Sequence, residues 1–269
     1  MISIGTTFNY EIALRDQLRV VKGAGFSHVS LGARVEHSNY LTTRGQEDIR
    51  ALVQGHGLAV CSVHTPFGEG LDISSPHRGT GDETVDVYRK CIEAAHCLSA
   101  RVVIFHPTAY QISDNIEIRK KMIVRNLEKL LDHLGKTGVT IAVENDSHDP
   151  ANDILSFSLD EIGDVRYGFC YDSSHDNLVA EPLALLEKYG SRLFTTHISD
   201  NRGDKDDHML PYQGIYDWNR FCKVFARIGF FGVFLLEVEM RESGFKSPDI
   251  FVREAFVRGE RLRKACQRE

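Results

Sequence analysis

Residues 122–144 read MIVRNLEKLLDHLGKTGVTIAVE, and a change of rhythm inside this stretch decides the fold. Met122, Ile123, Leu127, Leu130, Leu131 and Leu134 recur at helical spacing and mark one buried face of a helix. The pattern breaks at Thr137-Gly138, where glycine accepts the left-handed conformation that terminates a helix. A short apolar run over 139–143 follows and ends on a carboxylate, Glu144. The unit is an amphipathic helix, a glycine, a buried strand, and an ionisable residue where the strand emerges.

Working outward in both directions, the same unit recurs. Strand-like runs occupy 2–6, 28–31, 59–64, 102–106, 139–144, 167–171, 193–198 and 233–237. Longer amphipathic segments cover 11–24, 47–56, 82–98, 115–136, 182–189, 218–228 and 248–265. Gly25, Gly57 and Gly229 stand, like Gly138, between a helix and the next strand. About eight alternations, with no linker-like or low-complexity interruption, predict one closed (β/α)8 TIM barrel: a single domain over 1–269. An open doubly wound sheet is the competing fold, but no G-x-G-x-x-G follows the first strand.

Composition narrows the function classes. The 269 residues are 42% hydrophobic and 26% charged, an ordinary globular balance, and the net charge of -6 gives no overall attraction to nucleic acid or an acidic membrane. No run of about 18 apolar residues and no charged leader is present, so no membrane partner is expected. The six cysteines, Cys61, Cys91, Cys97, Cys170, Cys222 and Cys266, form no C-x-x-C pair and read as free thiols of a reducing, cytoplasmic compartment.

A parallel barrel strand is buried along its length, and functional groups appear where it reaches the C-terminal rim. Here the runs lead into His64, His106, Glu144, Asp172, His197 and Glu237. Carboxylates converging on one barrel mouth repel one another, and a divalent cation resolves that conflict. Glu144, Asp172, His197 and Glu237 offer mixed oxygen and nitrogen ligands suited to Mn²⁺, Mg²⁺, Co²⁺ or Zn²⁺. Two further motifs, Asp172-Ser173-Ser174-His175 and Asp206-Asp207-His208, extend the set. His64, His106, His175, Asp206 and His208 are candidates for a second metal or for substrate hydroxyls, and Arg202 for a hydroxyl or phosphate. Phe67 is a candidate pocket wall, whereas Trp218 reads as packing and His148 as a peripheral contact.

The order and strand-end placement of Ser62-Val63-His64-Thr65-Pro66-Phe67, Phe105-His106-Pro107, Val143-Glu144-Asn145, Tyr171-Asp172-Ser173-Ser174-His175, His197-Ile198-Ser199-Asp200-Asn201, Asp206-Asp207-His208 and Leu236-Glu237 resemble the xylose-isomerase-like TIM-barrel superfamily over nearly the whole chain. That superfamily holds sugar isomerases and epimerases, inosose-processing enzymes and the endonuclease IV group. The resemblance to its ketose epimerases implies one metal held by Glu144, Asp172, His197 and Glu237, with the two glutamates on opposite sides of the substrate carbon exchanging its proton through an enediolate. It implies a sugar or polyol as the small-molecule partner and leaves a homo-oligomer open, with Phe230-Phe231 and Phe251 either at a subunit contact or beneath the chain's own helices.

The rival resemblance is to endonuclease IV, which cleaves DNA at abasic sites with three zinc ions. Its ligand pattern is matched by His64, His106, Glu144, Asp172, His175, His197, Asp206, His208 and Glu237. The flanks depart from it at Thr108, at Asp146-Ser147-His148 and at Tyr212-Gln213-Gly214, and the acidic balance supplies little for phosphate contacts. A non-catalytic carbohydrate-binding barrel is the third reading; it calls for a missing ligand or proton carrier, and none is missing.

Overall fold

The computed structural model describes residues 1–68, 70–109, 112, 114–241 and 243–267. Eight strands alternate with helices: β1 (Ile2–Gly5), α1 (Leu14–Ala24), β2 (His28–Leu31), α2 (Val35–Ser38), α3 (Thr43–Gly55), β3 (Ala59–His64), α4 (Arg78–Cys97), β4 (Val102–Phe105), α5 (Ile116–Leu134), β5 (Thr140–Glu144), α6 (Asp149–Glu161), β6 (Tyr167–Asp172), α7 (Ser173–Asp176), α8 (Ala184–Tyr189), β7 (Leu193–His197), α9 (Trp218–Ile228), β8 (Phe234–Leu236) and α10 (Pro248–Ala265). All pairings between neighbouring strands are parallel, in the order β7-β6-β5-β4-β3-β2-β1-β8. The seam closes through a parallel bridge, Ile198 to Leu236, whose amides join Ile198 N to Leu235 O at 2.8 Å and Glu237 N to Ile198 O at 3.2 Å. The chain is a single (β/α)8 barrel.

Local chemistry sets the helix ends. The Asn115 side chain accepts from the amides of Glu117 and Ile118 at the start of α5, and Asp217 accepts from Arg220 at the start of α9. At the ends of α1 and α9, Gly25 (φ 110°) and Gly229 (φ 65°) adopt the left-handed conformation that a Cβ would strain. The helix α6 is absent from the sequence reading, although Pro150 in its first turn is a helix-start signal.

Two cores result. The larger lies between barrel and helices, and a small one of Ile104, Ala142, Cys170 and Leu235 fills the barrel itself. Side chains two apart on a strand share a face. Ile104 is therefore followed on the inner face by His106, Ala142 by Glu144, Cys170 by Asp172, and Leu235 by Glu237. The apolar plug of the barrel is the floor beneath the ionisable groups.

Two readings need adjustment. Cys222 and Cys266 are not free thiols but a disulfide: α9 and α10 bring their Cα atoms to 4.2 Å across a sequence separation of 44, a proximity no spacing rule reveals. The other four cysteines are free. Phe251 is fully buried against Phe8 and belongs under the chain's own helices, whereas Phe231 is exposed. Among the described residues no helix is long and apolar enough to cross a membrane.

Candidate metal centre and substrate cavity

The strand ends place Glu144, Asp172, His197 and Glu237 around one point. One donor atom from each lies within 4.8 Å of all the others. His197 Nδ1 stands 2.6 Å from Glu144 Oε1, 2.9 Å from Glu237 Oε2 and 4.0 Å from Asp172 Oδ2. One imidazole nitrogen cannot satisfy three carboxylates with its single proton. Asp172 Oδ1 accepts the backbone amide of His175 at 2.7 Å, but its Oδ2 is buried with no hydrogen-bond partner. A buried, unpartnered carboxylate oxygen facing two more carboxylates and an imidazole is a donor set that could hold a divalent cation. The residues present fit the metal expected from the sequence.

The remaining predicted ligands gather beside this centre. Glu144 Oε2 lies 3.2 Å from His64 Nε2 and 3.9 Å from His106 Nε2. His64 Nδ1 donates to Thr65 O at 2.8 Å, His175 Nδ1 to Asn145 O at 2.8 Å and His208 Nδ1 to Glu237 O at 3.2 Å. Those backbone acceptors orient the rings and leave each Nε2 aimed inward. Asp206 Oδ2 receives two of them, His175 at 3.2 Å and His208 at 2.9 Å. Asp206-Asp207-His208 is therefore part of the rim constellation rather than a solvated acidic turn. Arg202 stands apart: it does not line the cavity, and its guanidinium pairs with Asp207 at 3.3 Å.

The close approach of these acids and imidazoles shifts their protonation in opposite directions. Burial pushes Glu144 upward, but the charges of His197 and His106 and the bond from His197 outweigh it and hold the carboxyl well below its usual range. Glu237 is likewise raised by burial and pulled down, chiefly by His197, to about 2. Asp172 goes the other way: burial raises it to about 7, His175 opposing and Glu144, Asp206 and Glu237 adding to the rise. Burial disfavours the imidazolium of His208, yet Asp206 prevails and lifts it to about 10. His106 is depressed to about 4, mainly by burial.

Above this centre opens a cavity of about 670 Å³, a volume suited to a small metabolite. Phe67, 46% exposed, meets His106 edge-on at 4.6 Å and walls one side. Asp146 and His148, bonded to each other at 2.8 Å, form another. Trp218 is core: it is buried and donates its Nε1–H to Asp200 at 3.0 Å. The sequence reading missed Tyr10, Arg34 and Glu239, which also line the cavity. Arg34 lies three residues beyond β2, at the same rim as the acids, so strand-end position was a usable signal for it.

The protein is thus of the class of closed parallel barrels with oxygen and nitrogen donors converging at the C-terminal mouth. The family model described as "Xylose isomerase-like TIM barrel" matches residues 18–257, and the chain belongs to that family. The protein y4fM of Sinorhizobium fredii is 29% identical over 244 residues, covering 81% of this chain and 78% of its own. A D-tagatose 3-epimerase-like protein superposes with a TM-score of 0.80 at 19% identity, over 98% of each chain. D-psicose 3-epimerase of Clostridium cellulolyticum, solved with D-tagatose, gives 0.77 at 15% identity over 98% of this chain and 99% of its own. The IolI protein with a bound zinc atom gives 0.78 at 18% identity over 99% and 98%. At these identities the solved structures speak for the fold.

Proposed function

We propose that this chain is a metal-dependent isomerase or epimerase of a ketose or related polyol, with Glu144 and Glu237 as its proton-transfer pair. The observation that carries the reading is that both glutamates converge on His197 Nδ1, at 2.6 and 2.9 Å, beneath a cavity of monosaccharide size. Glu144, Asp172, His197 and Glu237 would hold the metal. When bound, a divalent cation polarises the carbonyl and adjacent hydroxyl of a ketose and so acidifies the proton on the carbon between them.

The chain's own residues do the rest. Both glutamates favour the ionised form, so either can accept the carbon-bound proton. The other, after taking a proton from solvent, delivers it to the resulting enediolate, and the first gives its own proton up to solvent. Return at the opposite face of the same carbon is epimerisation; return at the neighbouring carbon is isomerisation. His64 orients Glu144 through Oε2, and Phe67 excludes water from one flank of the substrate. The sugar epimerases among the structural neighbours support the same reading.

Glu144→Gln and Glu237→Gln should each abolish deuterium incorporation from D₂O into a ketose that the wild type exchanges, with circular dichroism unchanged. Retained exchange in both variants removes the pair.

One observation favours the endonuclease reading as runner-up: Asp206 gathers His175 and His208, completing its ligand pattern. Against it stand the net charge of -6 and the carboxylates Asp146 and Glu239 on the rim. About one metal equivalent and no incision of an abasic duplex support the isomerase; about three zinc equivalents with incision reverse the order.

A further inference from the structure

Arg34 is the one arginine or lysine among the described residues lining the cavity. Its guanidinium lies over the ring of Tyr10, 4.7 Å from the centroid, and among the described residues no carboxylate is bonded to it. Other cationic groups nearby are spoken for: Arg202 and Lys205 pair with Asp207, and Arg241 with Glu239. The platform under Arg34 is built rather than incidental. Tyr10 meets His37 edge-on at 5.2 Å, and a Cβ on Gly32 would come within 2.1 Å of the Tyr10 hydroxyl, so a larger residue there would displace the ring from this position. The ring supports the guanidinium through a cation–π contact, which uses none of its N–H donors.

The rest of the cavity is acidic, with Asp146, Asp206, Glu237 and Glu239 in its wall. Hydroxyls of a neutral sugar are well served by those acceptors and by the histidines. Arg34, exposed at the mouth of that space, adds its single cationic donor edge, which a negative charge on the substrate matches better than a neutral hydroxyl does. We infer that Arg34, carried on Tyr10, is an anion subsite, and that the substrate is an anionic ketose whose carboxylate or phosphate docks there while its carbonyl end faces the four-donor centre. The inference rests on the isomerase reading for the carbonyl end, but the subsite itself stands on Arg34, Tyr10 and Gly32.

The test uses the metal-loaded full chain and calorimetric titration with D-ribulose, D-ribulose 5-phosphate, D-fructuronate and inorganic phosphate, for wild type and Arg34→Gln. The wild type should bind one anionic ketose at least about tenfold more tightly than D-ribulose, and the variant should bring that ratio towards one. Whichever of the 5-phosphate and the uronate holds the advantage identifies the charged group. Equal binding of charged and neutral ketoses, or an advantage surviving in Arg34→Gln, overturns the subsite, since the anion is then on the metal or nowhere. If anion preference depends on Arg34 but no bound ketose exchanges deuterium, the subsite stands and the isomerase reading falls. If no ketose binds, loss of inorganic phosphate binding in the variant sustains the subsite, and phosphate binding that is absent or unchanged ends it.

Discussion

Asp172 carries two duties on two oxygens. Oδ1 caps the short helix α7 through the amide of His175, and Oδ2 is the buried atom without a partner. Asparagine keeps a carbonyl oxygen for the cap but lacks the anionic donor. Asp172→Asn should therefore leave the fold intact and weaken metal binding by at least about tenfold, measured by equilibrium dialysis with elemental analysis. Unchanged affinity would remove Asp172 from the ligand set. This residue was legible because an acid following Gly168-Phe169-Cys170-Tyr171 is out of place unless something binds it. Arg34 was overlooked because an arginine after a strand is ordinary, and its meaning lies in the Tyr10 ring beneath it. Arg202 was overvalued for the converse reason: its neighbour Asp207 is buried and claims it.

At the scale of elements, the period-two rhythm of β3 to β8 carries most of the site, since alternation alone puts His64, Glu144, Asp172 and His197 on the inner face. The loops that shape the cavity depend instead on a contact between distant segments. Arg119, in the first turn of α5, is almost fully buried and reaches Asp72 at 2.6 Å, Ser74 and Thr108 at 3.0 Å, and both oxygens of Asp114. It ties the loop after β3, which carries Phe67, to the loop after β4, which carries Thr108 and Ala109, all three lining the cavity. Removing it strands Asp72 without its cation. Arg119→Ala should cost about 3 kcal/mol in urea denaturation, and Arg119→Lys should recover only part, because one ammonium cannot span acceptors on four residues. A loss below about 1 kcal/mol would mean the loops hold themselves.

For the molecule as a whole, the metal-free protein should be less stable as pH rises above neutrality. His208 is raised to about 10 in the fold from 6.5, so the folded state holds its proton more tightly. Its contribution is complete below pH 6.5 and is lost as pH climbs through 10; His175 and His197, also raised, act in the same direction, and Asp172 has lost its own contribution by about pH 7. The melting temperature in chelator should thus fall between pH 6.5 and 10. Divalent metal should reverse that slope, because it competes with protons for the same donors and binds more tightly as they leave. A chelated protein that melts higher at pH 9 than at pH 6.5 would contradict these shifts.

Periodicity, glycine stops and the acids at strand ends were sufficient for the barrel and for the gathering of acids and histidines at its mouth, because each depends on residues adjacent in the chain or repeating at a fixed interval. Packing alone decided what depends on approach between remote segments: the Cys222–Cys266 bridge between α9 and α10, the Arg119 knot beneath two loops, and the seat of Arg34 on Tyr10. Those contacts join positions separated by many residues through side-chain distances of a few ångströms, and local spacing carries no information about such distances.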